Sequence, residues 1–264
     1  MKTNYVKAFC TPPFLPVSDF DTKVLNDAEK VELSFEYDTI HCYTWGQGKT
    51  VLLAHGWGSR ASHLGLIART LANSGFQVVA FDAPAHSSMK DGKRNKLSNF
   101  FEYSRALSLV ADNFAPLYAI AGHSLGAVAS VFAFTGQSLV ADYKIDVDKL
   151  VLMGLPPKME YLVDSFCRNN NLNKKDCAKL KVDLENSFNF FWSDFSVKSA
   201  LNEIKADVLL IHDTEDEEFS YDDISKLQKS IPDIDLFTSE GFGHQKLVMN
   251  RKVVARIKEY LSGQ

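Results

Sequence analysis

The sequence carries no excess of positive charge: 29 Lys and Arg face 33 Asp and Glu, for a formal net charge of −4 over 264 residues. A protein that grips a phosphate backbone needs a cationic face to displace condensed counterions, so nucleic acid is excluded as an expected partner. Long apolar runs are missing as well. No stretch approaches 18 uninterrupted apolar residues, which leaves no membrane span. The opening residues, Met1 to Pro16, are broken by Thr11, Pro12 and Pro13 and lack the continuous apolar core of a signal peptide. The expected compartment is the cytosol. Cysteine is sparse: Cys10, Cys42, Cys167 and Cys177 are scattered, form no CxxC pair and read as free thiols. With neither CxxC nor HExxH spacing, no metal site is expected.

What is present suits an ordinary globular protein, with 45% hydrophobic and 23% charged residues. The length allows one large core, and no low-complexity tract or Pro/Gly/Ser linker divides the chain, so residues 1–264 are expected to form a single domain. Val31 to Tyr37 and Ile40 to Trp45 alternate apolar and polar positions around Asp38-Thr39, as an antiparallel hairpin does. Then the pattern changes to short, nearly wholly apolar runs: Thr50 to Ala54, Gln77 to Phe81, Leu117 to Ala121, Lys149 to Met153 and Asp207 to Ile211. Strands covered on both faces look like this, which is the mark of a parallel sheet. Helical spacing lies between them, as in Leu64, Ile67, Ala68 and Leu71, or Phe100, Tyr103, Leu107 and Val110. The alternation predicts an α/β architecture, a doubly wound and mostly parallel sheet preceded by an antiparallel hairpin.

The alternation is interrupted once. Between about 156 and 196 there is no strong strand pattern, a polar run from Arg168 to Lys175, and an aromatic cluster of Phe188, Phe190, Phe191, Trp192 and Phe195. A helical cap is expected there, with the aromatics folding over the site as a lid and giving an apolar pocket; packing on the domain is the plainer alternative.

The sharpest motif is Gly122-His123-Ser124-Leu125-Gly126, which follows an apolar run and opens a helical stretch. A serine projected above a sheet edge sits on a strained strand-to-helix turn, and small residues two before and two after relieve the crowding. Ser124 is therefore the candidate nucleophile. A serine hydroxyl needs a base, and His244, in the glycine-rich loop Glu240-Gly241-Phe242-Gly243-His244 after the last expected strand, Ile234 to Ser239, is the candidate. His55, His123 and His212 sit beside strand ends and read as structural. A carboxylate must orient the base, and the acidic loop 212–218 offers several, of which spacing does not separate Asp213 from Asp216. The developing oxyanion needs N–H donors; Trp57, in His55-Gly56-Trp57-Gly58, and Leu125, next to the nucleophile, are placed to supply them.

With these motifs in this order, the chain resembles the α/β-hydrolase superfamily, in its esterase-like serine hydrolase branch, from Val31 to about Leu261. His55 to Gly58 is similar to the family's oxyanion loop, Gly122 to Gly126 to its nucleophile elbow, and Gly243-His244 to its final GH. His212-Asp213-Thr214-Glu215-Asp216 is similar to the HGxxD segment whose last residue is the triad acid. That register selects Asp216, with Asp213 where glycine is usual. Asp82 to Ser88 resembles the DxPGHGxS loop, with Ala85 and Ser87 in place of glycine. The resemblance implies acyl hydrolysis of a small-molecule ester or thioester through Ser124, His244 and Asp216, with no metal or organic cofactor. The alternatives are acyl transfer, perhydrolase or lyase chemistry on the same three residues, or a non-catalytic ligand-binding protein on the same scaffold. Gly46-Gln47-Gly48-Lys49-Thr50 ends like a phosphate-binding loop, but Tyr43 stands where its first glycine belongs, and the segment precedes a strand instead of following one.

Overall fold

The computed structural model describes residues 4–36, 38–86, 96–135 and 145–263. Eight strands form one sheet in the order β1-β2-β4-β3-β5-β6-β7-β8. They are β1 (Glu29–Phe35), β2 (Asp38–Trp45), β3 (Lys49–Ala54), β4 (Phe76–Asp82), β5 (Leu117–His123), β6 (Lys149–Met153), β7 (Asp207–Asp213) and β8 (Ile234–Ser239). β1 and β2 form the antiparallel entry pair, and β2 runs antiparallel to β4. From β4 to β8 every neighbouring pair is parallel. This is the doubly wound sheet that the apolar runs predict; Tyr37 of the expected hairpin lies outside the described residues.

The helices are α1 (Tyr5–Phe9), α2 (Asp19–Leu25), α3 (Gly65–Ala72), α4 (Phe100–Asn113), α5 (Leu125–Ala133), α6 (Glu160–Asn169), α7 (Lys174–Phe188), α8 (Val197–Glu203), α9 (Tyr221–Lys229), α10 (Gly243–Lys246) and α11 (Arg251–Ser262). Period-two alternation in the strands divides the core between the two faces of the sheet. Leu52 and Ala54 of β3 join α4, α5, α7, α8 and α9 on one face, while Val51 and Leu53 join α3 and α11 on the other. In α3, Ile67, Ala68 and Leu71 are buried as their spacing predicts, and so are Tyr103, Leu107 and Val110 in α4. All nine residues of α5 are buried. A helix that is apolar on every side is a core helix, and this one runs from the sheet edge into the middle of the layer beside α4.

The segment between β6 and β7 is helical, as expected, with α6 and α7 packed as a hairpin. Here two expectations fail. Cys167 of α6 and Cys177 of α7 form a disulfide, whereas only Cys10 and Cys42 remain free thiols. Ten residues apart in sequence, the two cysteines carry no spacing signal; the turn between the helices brings their Cα atoms to 5.8 Å. The aromatic cluster does not fold over Ser124 either. Phe190 and Phe195 are buried against Phe100, Phe101 and Phe132, with ring centroids 5.2–5.9 Å apart, in a knot that fastens the end of the segment to α4 and α5. Packing on the domain, the plainer reading, describes these rings.

Candidate active site

The loops that leave the carboxyl ends of β3, β5, β7 and β8 meet at one rim, on either side of the point where strand order reverses between β3 and β5, where open α/β sheets form their crevices. Ser124 stands between β5 and α5 with φ 53° and ψ −117°, a region that L residues adopt only under constraint. The constraint is visible at the two glycines. A Cβ on Gly122 would lie 2.6 Å from the Gly126 carbonyl oxygen and 2.7 Å from Ala127 Cα, and one on Gly126 would lie 2.3 Å from the Ala54 carbonyl oxygen. The turn closes because neither residue has a side chain. The Ser124 N–H donates to the Met153 carbonyl at 2.9 Å, which ties the turn to the end of β6.

The structure brings Ser124, His244 and Asp216 into one hydrogen-bonded chain. His244 Nε2 lies 2.8 Å from Ser124 Oγ, and His244 Nδ1 lies 2.7 Å from Asp216 Oδ2. With Nδ1 protonated and donating to the carboxylate, Nε2 is left to accept the serine proton. Asp216 Oδ1 in turn accepts from the N–H groups of Glu218 and Phe219 at 2.8 and 2.9 Å. Burial pushes the Asp216 carboxyl up, but the His244 hydrogen bond and charge, together with the Phe219 amide, outweigh it and hold the group below the usual carboxylate range. All three residues are buried, with Ser124 8% exposed.

Asp213, the competitor for the acid's role, points elsewhere. Its carboxylate accepts from Ser239 Oγ and from the N–H groups of Glu215, Phe242 and Gly243, and does not meet the imidazole. The three histidines read as structural are buried and uncharged. Burial, reinforced by His244, pushes His123 down to about 3, and its Nε2 meets the His244 carbonyl at 3.0 Å. Burial, reinforced by His86, holds His55 well below its usual value; its Nε2 accepts the Ala83 N–H at 3.0 Å while Nδ1 donates to the Gly56 carbonyl. His212 is likewise lowered by burial, and its Nε2 meets the Phe219 carbonyl at 2.9 Å.

Of the expected oxyanion donors, Leu125 follows the serine in the chain and Trp57 lines the same cavity as Ser124. Leu125 is the first residue of α5, where an N–H has no acceptor within its own helix. The loop carrying Trp57 presses against the elbow: a Cβ on Gly56 would stand 3.1 Å from Ser124 Cβ and 3.0 Å from His123 Nδ1. Ala85 takes φ 63°, the left-handed conformation that explains why glycine is usual there, while Ser87 and Ser88 of the same motif lie outside the described residues.

Ser124, Leu125, Trp57 and His244 open into a cavity of about 460 Å³. Its far wall comes from two places. One is α6 and its C-cap, through Leu162, Ser165, Phe166, Asn169 and the capping Asn170; the other is the N-terminal segment, through Ala8, Phe9, Thr11 and Pro13. The expected apolar lid aromatics are absent from this wall, which mixes apolar with amide and hydroxyl groups. No motif marks the N-terminal segment, and sequence reasoning missed it. It is held by the Cys10 carbonyl, which accepts from Ser98 N–H, by the Leu15 carbonyl, which accepts from the buried Arg60 guanidinium, and by an edge-on contact of Phe9 with Phe166. Gly58 is part of the same fit: a Cβ there would meet Pro13 Cγ at 2.5 Å. The Ser18 and Asp21 capping box that starts α2 was the available local signal of order in this region.

Among the described residues, no helix is long and apolar enough to cross a membrane. The sequence profile of the family described as serine aminopeptidase, S33 matches residues 47–172, the stretch from β3 through α6. No curated protein matches the sequence. Among solved structures, the chain is similar to an esterase of Pyrococcus furiosus, with a TM-score of 0.65 and 19% identity over 96% of this chain and 96% of that one. It is also similar to a thioesterase domain from the curacin biosynthetic pathway, with a TM-score of 0.61 and 16% identity over 89% of this chain and 99% of that one. Est1E from Butyrivibrio proteoclasticus, in its structure with ferulic acid, gives a TM-score of 0.64 and 15% identity over 89% of this chain and 98% of that one. At these identities the likeness is one of fold.

Proposed function

We propose that this chain, which shares its fold with esterases and matches the serine aminopeptidase, S33 profile over residues 47–172, is a serine hydrolase of the α/β-hydrolase superfamily that cleaves a small-molecule ester or thioester through an acyl-enzyme on Ser124. The observation that carries the reading is the unbroken chain from Ser124 Oγ through His244 to Asp216, at 2.8 and 2.7 Å. These are contact distances for proton transfer from nucleophile to base and for a carboxylate that orients the base.

Ser124 Oγ attacks the acyl carbon, and its proton passes to His244 Nε2. Asp216, ionised across the neutral range, stabilises the imidazolium so formed. The carbonyl oxygen gains negative charge and takes the N–H groups of Trp57 and Leu125, which are fixed before the reaction begins and cost no reorganisation during it. As the C–O or C–S bond breaks, His244 returns the proton to the leaving alcohol or thiol. Water then enters, gives a proton to His244 and attacks the acyl carbon; as the bond to Ser124 Oγ breaks, His244 returns that proton to Oγ and the acid leaves. Residues 156–196 serve as the cap, with α6 facing the cavity and the aromatic knot anchoring the segment behind it.

The test is labelling by a fluorophosphonate, read by peptide mass spectrometry, with turnover of p-nitrophenyl acetate measured in parallel. Modification is expected at Ser124. It should disappear in Ser124→Ala and fall by roughly 10⁴-fold in His244→Ala and in Asp216→Ala, while Asp213→Ala keeps detectable labelling. Folded protein that is neither labelled nor active would overturn the reading.

A further inference from the structure

Asp213 occupies a place where the resembling family usually has glycine, and its side chain does something no glycine can. It ends β7, is fully buried, and its carboxylate accepts four hydrogen bonds from two different loops. Oδ1 takes the N–H of Glu215 at 3.1 Å, within its own loop, and the N–H of Gly243 at 3.1 Å, across the gap. Oδ2 takes Ser239 Oγ at 2.6 Å and the N–H of Phe242 at 3.3 Å. Two of these donors sit immediately before the residues that matter: Glu215 precedes Asp216, and Gly243 precedes His244. The two segments are also joined where the Thr214 N–H donates to the Ser239 carbonyl at 2.9 Å and where His244 Nδ1 meets Asp216 Oδ2 at 2.7 Å, so Asp213 adds the contacts at Phe242 and Gly243 that lie between these two. Gly243 takes φ 59°, and a Cβ there would reach only to 3.4 Å from the Glu215 carbonyl oxygen.

We propose that Asp213 is a positioning residue for the hydrolase reaction: its one carboxylate clamps the loop of Asp216 to the loop of His244, and so fixes the imidazole between the acid and Ser124. The inference rests on the reading of those three residues as the reacting set. Asp213 does not touch the reacting atoms; it acts through His244. The clamp works because four donors converge on one anion in a site without water access, where each N–H to a charged oxygen is stronger than its neutral equivalent. A backbone shift of about 1 Å in a catalytic loop costs roughly 100-fold in rate, and that is the scale of effect the clamp prevents.

The experiment compares wild type, Asp213→Ala, Asp213→Asn, His244→Ala and the double variant Asp213→Ala/His244→Ala, with rates expressed per folded molecule. Asparagine keeps an oxygen for Glu215 and Gly243 but turns an amide N–H₂ toward Phe242 N–H, so it breaks half of the clamp and covers the case in which the alanine variant does not fold. The fluorophosphonate rate and kcat for p-nitrophenyl acetate should fall about 100-fold in Asp213→Ala and about tenfold in Asp213→Asn, with KM within twofold of wild type. The double variant should be no slower than His244→Ala, because a residue that acts through the imidazole has nothing left to position. A purely structural Asp213 would lower Tm and leave the per-molecule rate unchanged, and that result overturns the proposal. So does a double variant whose losses add. If wild type itself does not label at Ser124, the underlying reading fails and the clamp falls with it; if wild type labels in a His244-dependent way and Asp213→Asn matches it, the clamp alone is wrong.

Discussion

The rim of the sheet and the cavity wall that faces it are built by different rules. At the rim the backbone decides. Gly122 and Gly126 are where a Cβ would strike a carbonyl or a helix, Gly56 presses on the elbow, and the Gly243 amide must reach Asp213. Across the cavity, side chains decide. Residues 8–13 and one side of α6 meet the space through the side chains of Phe9, Thr11, Leu162 and Asn169. The chemistry is therefore held by steric rules that tolerate little change, and the shape presented to a substrate by surfaces that tolerate much.

The strongest way to break the rim side of this comparison is Gly126→Ala. Gly126 is in the first turn of α5 with ordinary helical backbone, where alanine alone is worth about 1 kcal/mol over glycine. Propensity therefore predicts stabilisation, whereas the 2.3 Å approach of the new Cβ to the Ala54 carbonyl predicts the reverse. We expect net destabilisation of roughly 3 kcal/mol, because the displaced groups are backbone and cannot rotate away, together with loss of fluorophosphonate labelling. Urea unfolding of the variant against wild type decides; an equal or higher midpoint would mean that the elbow has slack.

A second consequence is that the rim is sensitive to acid. His55, His123 and His212 lie at the carboxyl ends of β3, β5 and β7, and burial lowers all of them, His123 to about 3. In the unfolded chain each returns to about 6.5 and takes up a proton that the native site refuses. Their contribution is fully present above 6.5 and is lost as pH falls below it, each at up to about 1.4 kcal/mol per pH unit. Asp82 works in the opposite sense: burial raises it to about 6, so the native state gains a proton between about 6 and its ordinary 3.8 and offsets one histidine. Asp213 and Asp216, both held low, add their own loss only below 3.8. Unfolding midpoints measured from pH 7.5 to 4.5 should fall steadily, and less steeply in His123→Gln, which removes one of the three. A flat profile would show that these imidazoles take up protons in place.

How much of this was legible in the sequence follows the same divide. The strands were readable as apolar runs because both faces of the sheet are covered, and Ser124, His244 and the acidic loop were readable because glycine spacing and strand ends locate them. Resemblance, not spacing, chose Asp216 over Asp213, and the role of Asp213 as a clamp left no trace in its neighbours because its donors come mostly from residues 239–243. The wall was not legible. The Phe188 to Phe195 cluster looked like a lid because aromatics are common in pockets, yet large rings bury more area packed against Phe100, Phe101 and Phe132 than over an open cavity. The segment at residues 8–13 is short, and Pro12-Pro13 advertises only an extended chain. The Cys167–Cys177 pairing depends on an α6–α7 turn that no periodicity measures.

The smallest expected effect probes that wall. Phe166 is half-buried, lines the cavity from α6 and meets Phe9 of the N-terminal segment edge-on at 5.4 Å. Phe166→Ala removes a ring where the two parts of the wall join and leaves every rim contact untouched. The ring pair is worth about 1 kcal/mol beyond its burial, so stability should fall modestly, and labelling of Ser124 by a small fluorophosphonate should stay within about twofold, since no group that reacts has moved. What should change is selectivity. Each methylene given or denied room in an apolar pocket is worth about 1 kcal/mol or more, so the ratio of kcat/KM for p-nitrophenyl octanoate to that for the acetate should shift by at least about threefold. Without that shift, in a variant that folds and labels normally, α6 would not be the wall against which the acyl chain lies, and the division between a fixed rim and a permissive wall would have to be drawn elsewhere along the cavity.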